Sequence, residues 1–205
     1  MKRLTEAQQQ QVADAIARVE RQTDAELVTV LAKRADRYAF VPFLWAAMLA
    51  MLLPLVGGLL PVLGWYDWFV WQWLVFIGLA FVLHLPFIEM RIVPRRLRHY
   101  RAASLARCQF LAQNLHATRD GTGLLIFVAE AERYVEILAD RGISQHVPDS
   151  EWQALVDAFT TKVKAGETLQ GFLDCIEGCG AKLAQHLPAS HDKNELPNHL
   201  VIINN

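Results

Sequence analysis

Five carboxylates lie near expected strand ends: Glu26, Glu130, Glu132, Asp140 and Asp149. A hard divalent cation needs six or more oxygens converging from nearby positions. Glu26, Asp140 and Asp149 are the candidates for such a site, but they follow no EF-hand spacing, and scattered surface charge is the plainer account. Arg133 and Arg141 are candidates for clamping an anion or phosphate, and structural ion pairs explain them equally well. Phosphoryl transfer would further require an activated nucleophile or a metal. No nucleophile stands out, so no catalytic residue is assigned. Cys175 and Cys179 stand at i, i+4 on one helix face, and with His186 they could offer zinc three soft ligands. A fourth ligand is not evident, and free cysteines are common in cores. Walker loops, dinucleotide fingerprints and Ser-His-Asp arrangements do not occur.

The elements that must position these residues are divided by a long apolar segment. From Tyr38 to Met90 only Asp67 and Glu89 are charged, and there is no Lys or Arg. A helix crossing a hydrocarbon core of ~30 Å takes about 20 apolar residues. Phe40 to Gly64 supplies 25 residues and Tyr66 to Ile88 supplies 23. The chain is therefore expected to form a two-helix transmembrane hairpin, turning around Gly64 to Asp67, and to have the lipid bilayer as a partner. Pro54, Pro61, Gly57 and Gly58 interrupt the first span. A tolerated kink and a discontinuous, transporter-like helix are both compatible with them. His84, a polar group inside the second span, is a functional candidate on position alone.

Orientation follows from the flanking charges. Lys33, Arg34 and Arg37 precede the first span, and Arg91, Arg95, Arg96, Arg98 and Arg101 follow the second. Positive residues favour the cytoplasmic side. The expectation is a bacterial-type inner-membrane protein with two spans and both termini cytoplasmic. The five arginines after the hairpin are candidates for contact with anionic lipid headgroups, at roughly 1 kcal/mol each near the surface. Trp65, Trp68, Trp71 and Trp73 crowd the turn with Tyr66 and form an interfacial aromatic anchor. The first apolar run starts near residue 40 behind a polar helix, so no cleaved leader is expected. Three cysteines without framework spacing fit a reducing compartment. The flanks are nearly neutral, which argues against a nucleic-acid binder.

The polar flanks read as one domain split by the hairpin: residues 1–37, the hairpin at 38–90, and residues 91–205. Thr5 and Gln8 form a capping-box pattern, and Val12, Ile16 and Val19 recur at helical spacing. Glu26 to Ala32, apolar on both faces, reads as a central strand. After a helix from Arg96 to about His116, Gly123–Ala129 and Tyr134–Ala139 read as two buried strands. The four residues between them make this an antiparallel hairpin. Asp140 to Gly142 turns the chain, and two helices and a last strand at Leu200–Ile203 follow. A mixed sheet covered by helices is the natural packing.

These residues resemble the TPM domain family. LTEAQQQQVADAIARVERQTDAELVTVLA is similar to its opening helix and first strand. GLLIFVAEAERYVEILADRGI, Gly123 to Ile143, is similar to its central β-hairpin, with Arg133 at the basic position and Gly142 at the following glycine. Gly166 and Gly171 match its later punctuation. The resemblance implies an α/β sandwich, divalent-cation binding (often calcium), and phosphatase activity in some members. Other members are associated with membrane-complex repair or are small envelope proteins. Family members commonly carry the domain uninterrupted behind a signal peptide, whereas here the hairpin occupies the connection after the first strand. Two functions follow as expectations. One is a non-enzymatic, membrane-tethered accessory module acting on or within a membrane protein complex. The alternative is a divalent-metal-dependent phosphatase at the inner membrane surface.

Overall fold

The structure, a computed structural model, describes residues 5–57, 64–190 and 200–203. Gly58, Pro61 and the end of the first expected span lie outside the described residues, as do residues 191–199 ahead of the last strand. The chain divides into two compact units: residues 1–35 with 99–205, and residues 36–98.

The first unit opens with helix α1 (Glu6–Glu20), whose Thr5 side chain accepts from the Gln8 N–H while the Gln8 side chain reaches back to the Thr5 backbone. That reciprocal cap satisfies two otherwise orphaned donors. Strand β1 (Glu26–Ala32) follows and is buried along its whole length. The second unit contains helices α2 (Phe40–Gly57), α3 (Trp65–Leu83) and α4 (Pro86–Ile92). Helix α5 (Arg95–Ala112) is followed by a single 3-10 turn at Leu115–Ala117. Strands β2 (Gly123–Ala129) and β3 (Tyr134–Ala139) form the expected hairpin. The four-residue helix α6 (Arg141–Ser144), then α7 (Asp149–Lys164), α8 (Thr168–His186) and β4 (Leu200–Ile203) complete the chain.

The sheet has four strands in the order β3-β2-β1-β4. Strand β1 pairs parallel with β2, from Glu26 opposite Gly123 to Ala32 opposite Ala129, and parallel with β4. Strand β2 pairs antiparallel with β3, from Leu124 opposite Ala139 to Ala129 opposite Tyr134. One face buries Leu27, Leu31, Leu124 and Ile126 against α1, α7 and α8. The other buries Val28, Val30, Leu125 and Phe127 under Ala102 and Ala106 of α5. The fold is thus an α/β sandwich with helices on both faces. Strand β3 departs from the expected fully buried strand. It is half-buried along most of its length because it lies at the sheet edge.

In the second unit, α2 and α3 pack together and α4 touches both. Ala46 and Ala50 are buried, whereas Phe43, Leu44, Met48 and Leu52 of α2 are exposed. Tyr66–Leu83 is long and apolar enough to cross a membrane, and none of it is buried; Phe40–Leu55 is apolar but shorter. The second helix ends at Leu83 rather than continuing to Ile88. Pro86 starts α4 with Leu85 as its N-cap. Proline lacks an N–H and keeps its predecessor out of helical conformation, so the helix breaks there.

Candidate functional site

Asp24, Glu26 and Asp140 fall at one end of the sheet, where β1 and β2 begin and β3 finishes. The Asp24 carboxylate accepts from the backbone N–H of Ser190 at 2.9 Å and from its hydroxyl. Thr122 Oγ1 donates to the Asp24 carbonyl at 3.1 Å. Glu26 is buried, and its N–H donates to the Thr122 carbonyl at 3.1 Å. Asp140 Oδ1 accepts from the Arg141 N–H at 2.7 Å and caps α6. Both Glu26 and Asp140 flank Gly123, so their backbones stand two strand spacings apart, roughly 9–10 Å. Asp149 instead opens α7 and lines a groove along β3. Among the described residues, no three His, Cys, Asp or Glu gather as a metal-holding group.

The most perturbed carboxyl at this end is one the sequence did not single out. Burial pushes Glu20 from 4.5 up to about 8, the Leu27 N–H opposes the rise, and the Glu26 charge adds to it. The Leu27 N–H donates to Glu20 Oε1 at 3.2 Å, while Oε2 is buried without a partner among the described residues. Glycine is required nearby: a Cβ on Gly142 would stand 2.4 Å from the Asp120 carbonyl.

Arg133 and Arg141 do not come together. Arg133 precedes β3 and Arg141 follows it, which puts their backbones more than about 20 Å apart. Arg133 is exposed and adopts φ +54 in the β2–β3 turn, donating its N–H to the Glu130 carbonyl at 3.2 Å. The preceding Glu132 is buried and accepts from the Ala35 N–H at 3.1 Å. Together with the Glu130 N–H bond to the Ala32 carbonyl, this fastens the chain leaving β1 to the β2–β3 turn.

Cys175 and Cys179 are buried in the core facing α1. A hydrogen bond with Cys175 and burial raise the Cys179 thiol well above its ordinary value, and this disfavours the thiolate that a metal requires. His186 lies beside His146, ring centroids 6.4 Å apart. In the second unit His84 caps the C-terminus of α3, and its ring is 5.7 Å from that of Phe43. Arg91 lies 4.6 Å from the centre of the Phe87 ring, and Arg95 and Arg96 are exposed. Arg98 is half-buried and Arg101 exposed.

A groove of about 670 Å³ runs along the outer edge of β3, which pairs with no further strand among the described residues, and is bounded by Trp152, Gln153, Val156 and Thr160 of α7 and by His99. His99 packs edge-on to Tyr134 at 5.4 Å. Burial and the neighbouring Glu136 carboxylate hold the Tyr134 hydroxyl well above its ordinary range.

With the sheet and its edges established, comparison with known proteins places the C-terminal flank. Residues 89–182 match the TPM domain. The TPM match holds α5, β2, β3, α6, α7 and most of α8, and leaves out α1, β1, α2, α3 and β4. No curated protein sequence matches the chain. The BA42 protein of the psychrophilic bacterium Bizionia argentinensis, known from an NMR structure, shares 21% identity. The two align over 97% of this chain and 94% of that one, with a TM-score of 0.61. At that identity the likeness concerns the fold.

The segments resembling the TPM family's opening helix and strand lie outside the matched residues. They nonetheless complete the sheet of the first unit, because β1 supplies the strand between β2 and β4. Glu20 carries no local signal because its burial arises only in the folded chain, and Glu132, one of the strand-end carboxylates, gives no sign in sequence of its partner. Glu132 bonds to a residue 97 positions away, and no local pattern announces that distance.

Proposed function

We propose that this chain is a membrane-tethered accessory module whose TPM-like α/β domain docks onto a membrane protein complex on the cytoplasmic side. Residues 40–88 act as its two-span tether, both termini lie inside, and Arg91, Arg95, Arg96, Arg98 and Arg101 meet anionic headgroups. The supporting observation is the exposed apolar surface of the second unit. No residue of Tyr66–Leu83 is fully buried, and Met51, Leu55 and Phe81 are each more than two-thirds exposed. Water-soluble proteins rarely leave apolar patches beyond a few hundred Å² uncovered. The test is flotation of the full chain with lipid vesicles and its resistance to carbonate extraction. Release into the carbonate supernatant refutes the tether. Ile77→Arg places a charge in α3 at a cost of about 2.5–3.5 kcal/mol and is expected to reduce the membrane fraction. Orientation is read at Cys108, which is exposed, because Cys175 and Cys179 are buried. An impermeant maleimide is expected to label Cys108 only after permeabilisation; labelling in intact cells reverses the orientation.

A divalent-metal-dependent phosphohydrolase is the second reading, favoured by the position of Glu20, whose carboxylate accepts from the Leu27 N–H beside Glu26 at the end of the sheet. Calcium or manganese titration with thermal melting tests it. A rise in melting temperature supports it, and no shift at millimolar metal refutes it.

A further inference from the structure

We infer that the free edge of β3 is a docking site for an extended segment of a partner protein, which adds there as a fifth strand. This rests on the accessory-module reading and names how that module would hold its partner.

The backbone supplies the first argument. The Asp140 N–H donates to the Gly123 carbonyl at 2.9 Å. Hydrogen-bonded pairs alternate along an antiparallel ladder. Tyr134, Glu136 and Leu138 therefore direct their backbone groups to β2, and Val135, Ile137 and Ala139 direct theirs outward. Of the outward groups, the Ala139 carbonyl accepts from Ser144 Oγ at 3.2 Å. The rest of this short row faces the groove, which is the template an added strand uses. The opposite edge, β4, has only four residues.

The occupant's chemistry follows from the two walls. Guest residues opposite Val135 and Ile137 project to the α7 side, where Val156 and Trp152 line the groove, and so are apolar. Guest residues between them project to the α5 side beside Glu136. Among the described residues, one Glu136 carboxylate oxygen is buried without a hydrogen-bond partner, so this position suits a basic residue. The guest alternates apolar and basic or polar side chains.

A second copy of this chain fits poorly. Two-fold pairing of β3 with itself admits three registers that use most of the strand. One sets Glu136 opposite Glu136, one sets Glu136 opposite Leu138 and so gives its carboxylate no basic partner, and one sets Glu136 opposite Asp140. Like charges directly opposite destabilise a strand pair.

The test uses the full chain in detergent micelles and a fluorescein-labelled probe peptide, Thr-Val-Lys-Val-Lys-Val-Thr, blocked at both ends. Saturable anisotropy binding is expected, together with slowed amide exchange at Val135 and Ile137. Val135→Pro removes an outward N–H and leaves the β2 ladder intact, as proline at a sheet edge allows. It is expected to weaken binding about tenfold with little change in melting. Should Val135→Pro unfold the domain, Glu136→Lys decides: it is expected to weaken the Lys probe and to favour a probe with Glu in place of Lys. Failure of the probe to bind at millimolar concentration overturns the inference. So does slowed exchange located elsewhere, or a Glu136→Lys variant that still prefers the Lys probe. The tether stands or falls on flotation, so the two failures are distinguishable.

Discussion

Replacing Glu20 by Gln should flatten the pH dependence of stability between about pH 5 and 8. Glu20 ends α1, where a carboxylate also opposes the helix dipole. Folding raises its pKa from 4.5 to about 8, chiefly through burial. An acid that binds its proton more tightly when folded contributes its full stability below its unfolded pKa. That contribution is lost as pH climbs toward 8 and stays lost above it. At ~1.36 kcal/mol per pH unit the interval sets a ceiling near ~5 kcal/mol. Glu20 is partly exposed, so water screens the charged form and the expected effect is ~1–2 kcal/mol. The amide of Glu20→Gln keeps the acceptor for the Leu27 N–H and cannot ionise. The assay is urea unfolding of the full chain in detergent, followed by far-UV circular dichroism at pH 5, 6.5 and 8. The variant should exceed the wild type at pH 8 and lose that advantage at pH 5. Glu26→Gln should reproduce part of the effect by removing the neighbouring charge. A wild type whose stability rises from pH 5 to 8, or a Glu20→Gln variant that tracks it in parallel, refutes the reasoning.

Two further outcomes follow from close packing and from backbone conformation. A Cβ on Gly180 would meet Val19 Cγ2 at 2.5 Å, so Gly180→Ala should cost ~1–3 kcal/mol by overpacking α1 against α8. Adding Val19→Ala should recover part of it, and additive effects in a double-mutant cycle by denaturant unfolding would contradict the contact. Arg133 holds φ +54, a conformation that costs a residue with a Cβ ~1–2 kcal/mol. Arg133→Gly should therefore stay within ~1 kcal/mol of the wild type after glycine's own entropic cost. Arg133→Val should be clearly less stable in the same unfolding assay, and equal tolerance of both would exclude the turn strain.

Much of the fold was legible because it is local. The Thr5–Gln8 cap, the helical spacing of Val12, Ile16 and Val19, and the short turn between β2 and β3 each involve residues within a few positions. The length and apolarity of the segment after Tyr38 likewise depend on composition alone. Candidate site residues were less legible. Glu26 and Asp140 were readable as strand-end carboxylates, yet only the pairing with Gly123 shows that they share one end of the sheet. Asp149 looked equivalent in sequence and belongs to the β3 groove instead.

By itself the sequence determined the periodic elements, the caps and the apolar character of residues 40–88, since these follow from side chains near one another along the chain. The tertiary structure alone decided that β3 is an edge strand, that Glu20 sits beside Glu26, and that Gly180 admits Val19. The physical reason is that edge position, desolvation and close contact arise when residues far apart in sequence exclude water from one another. Two apolar strands of similar composition, β2 and β3, thus differ in burial by their place in the sheet.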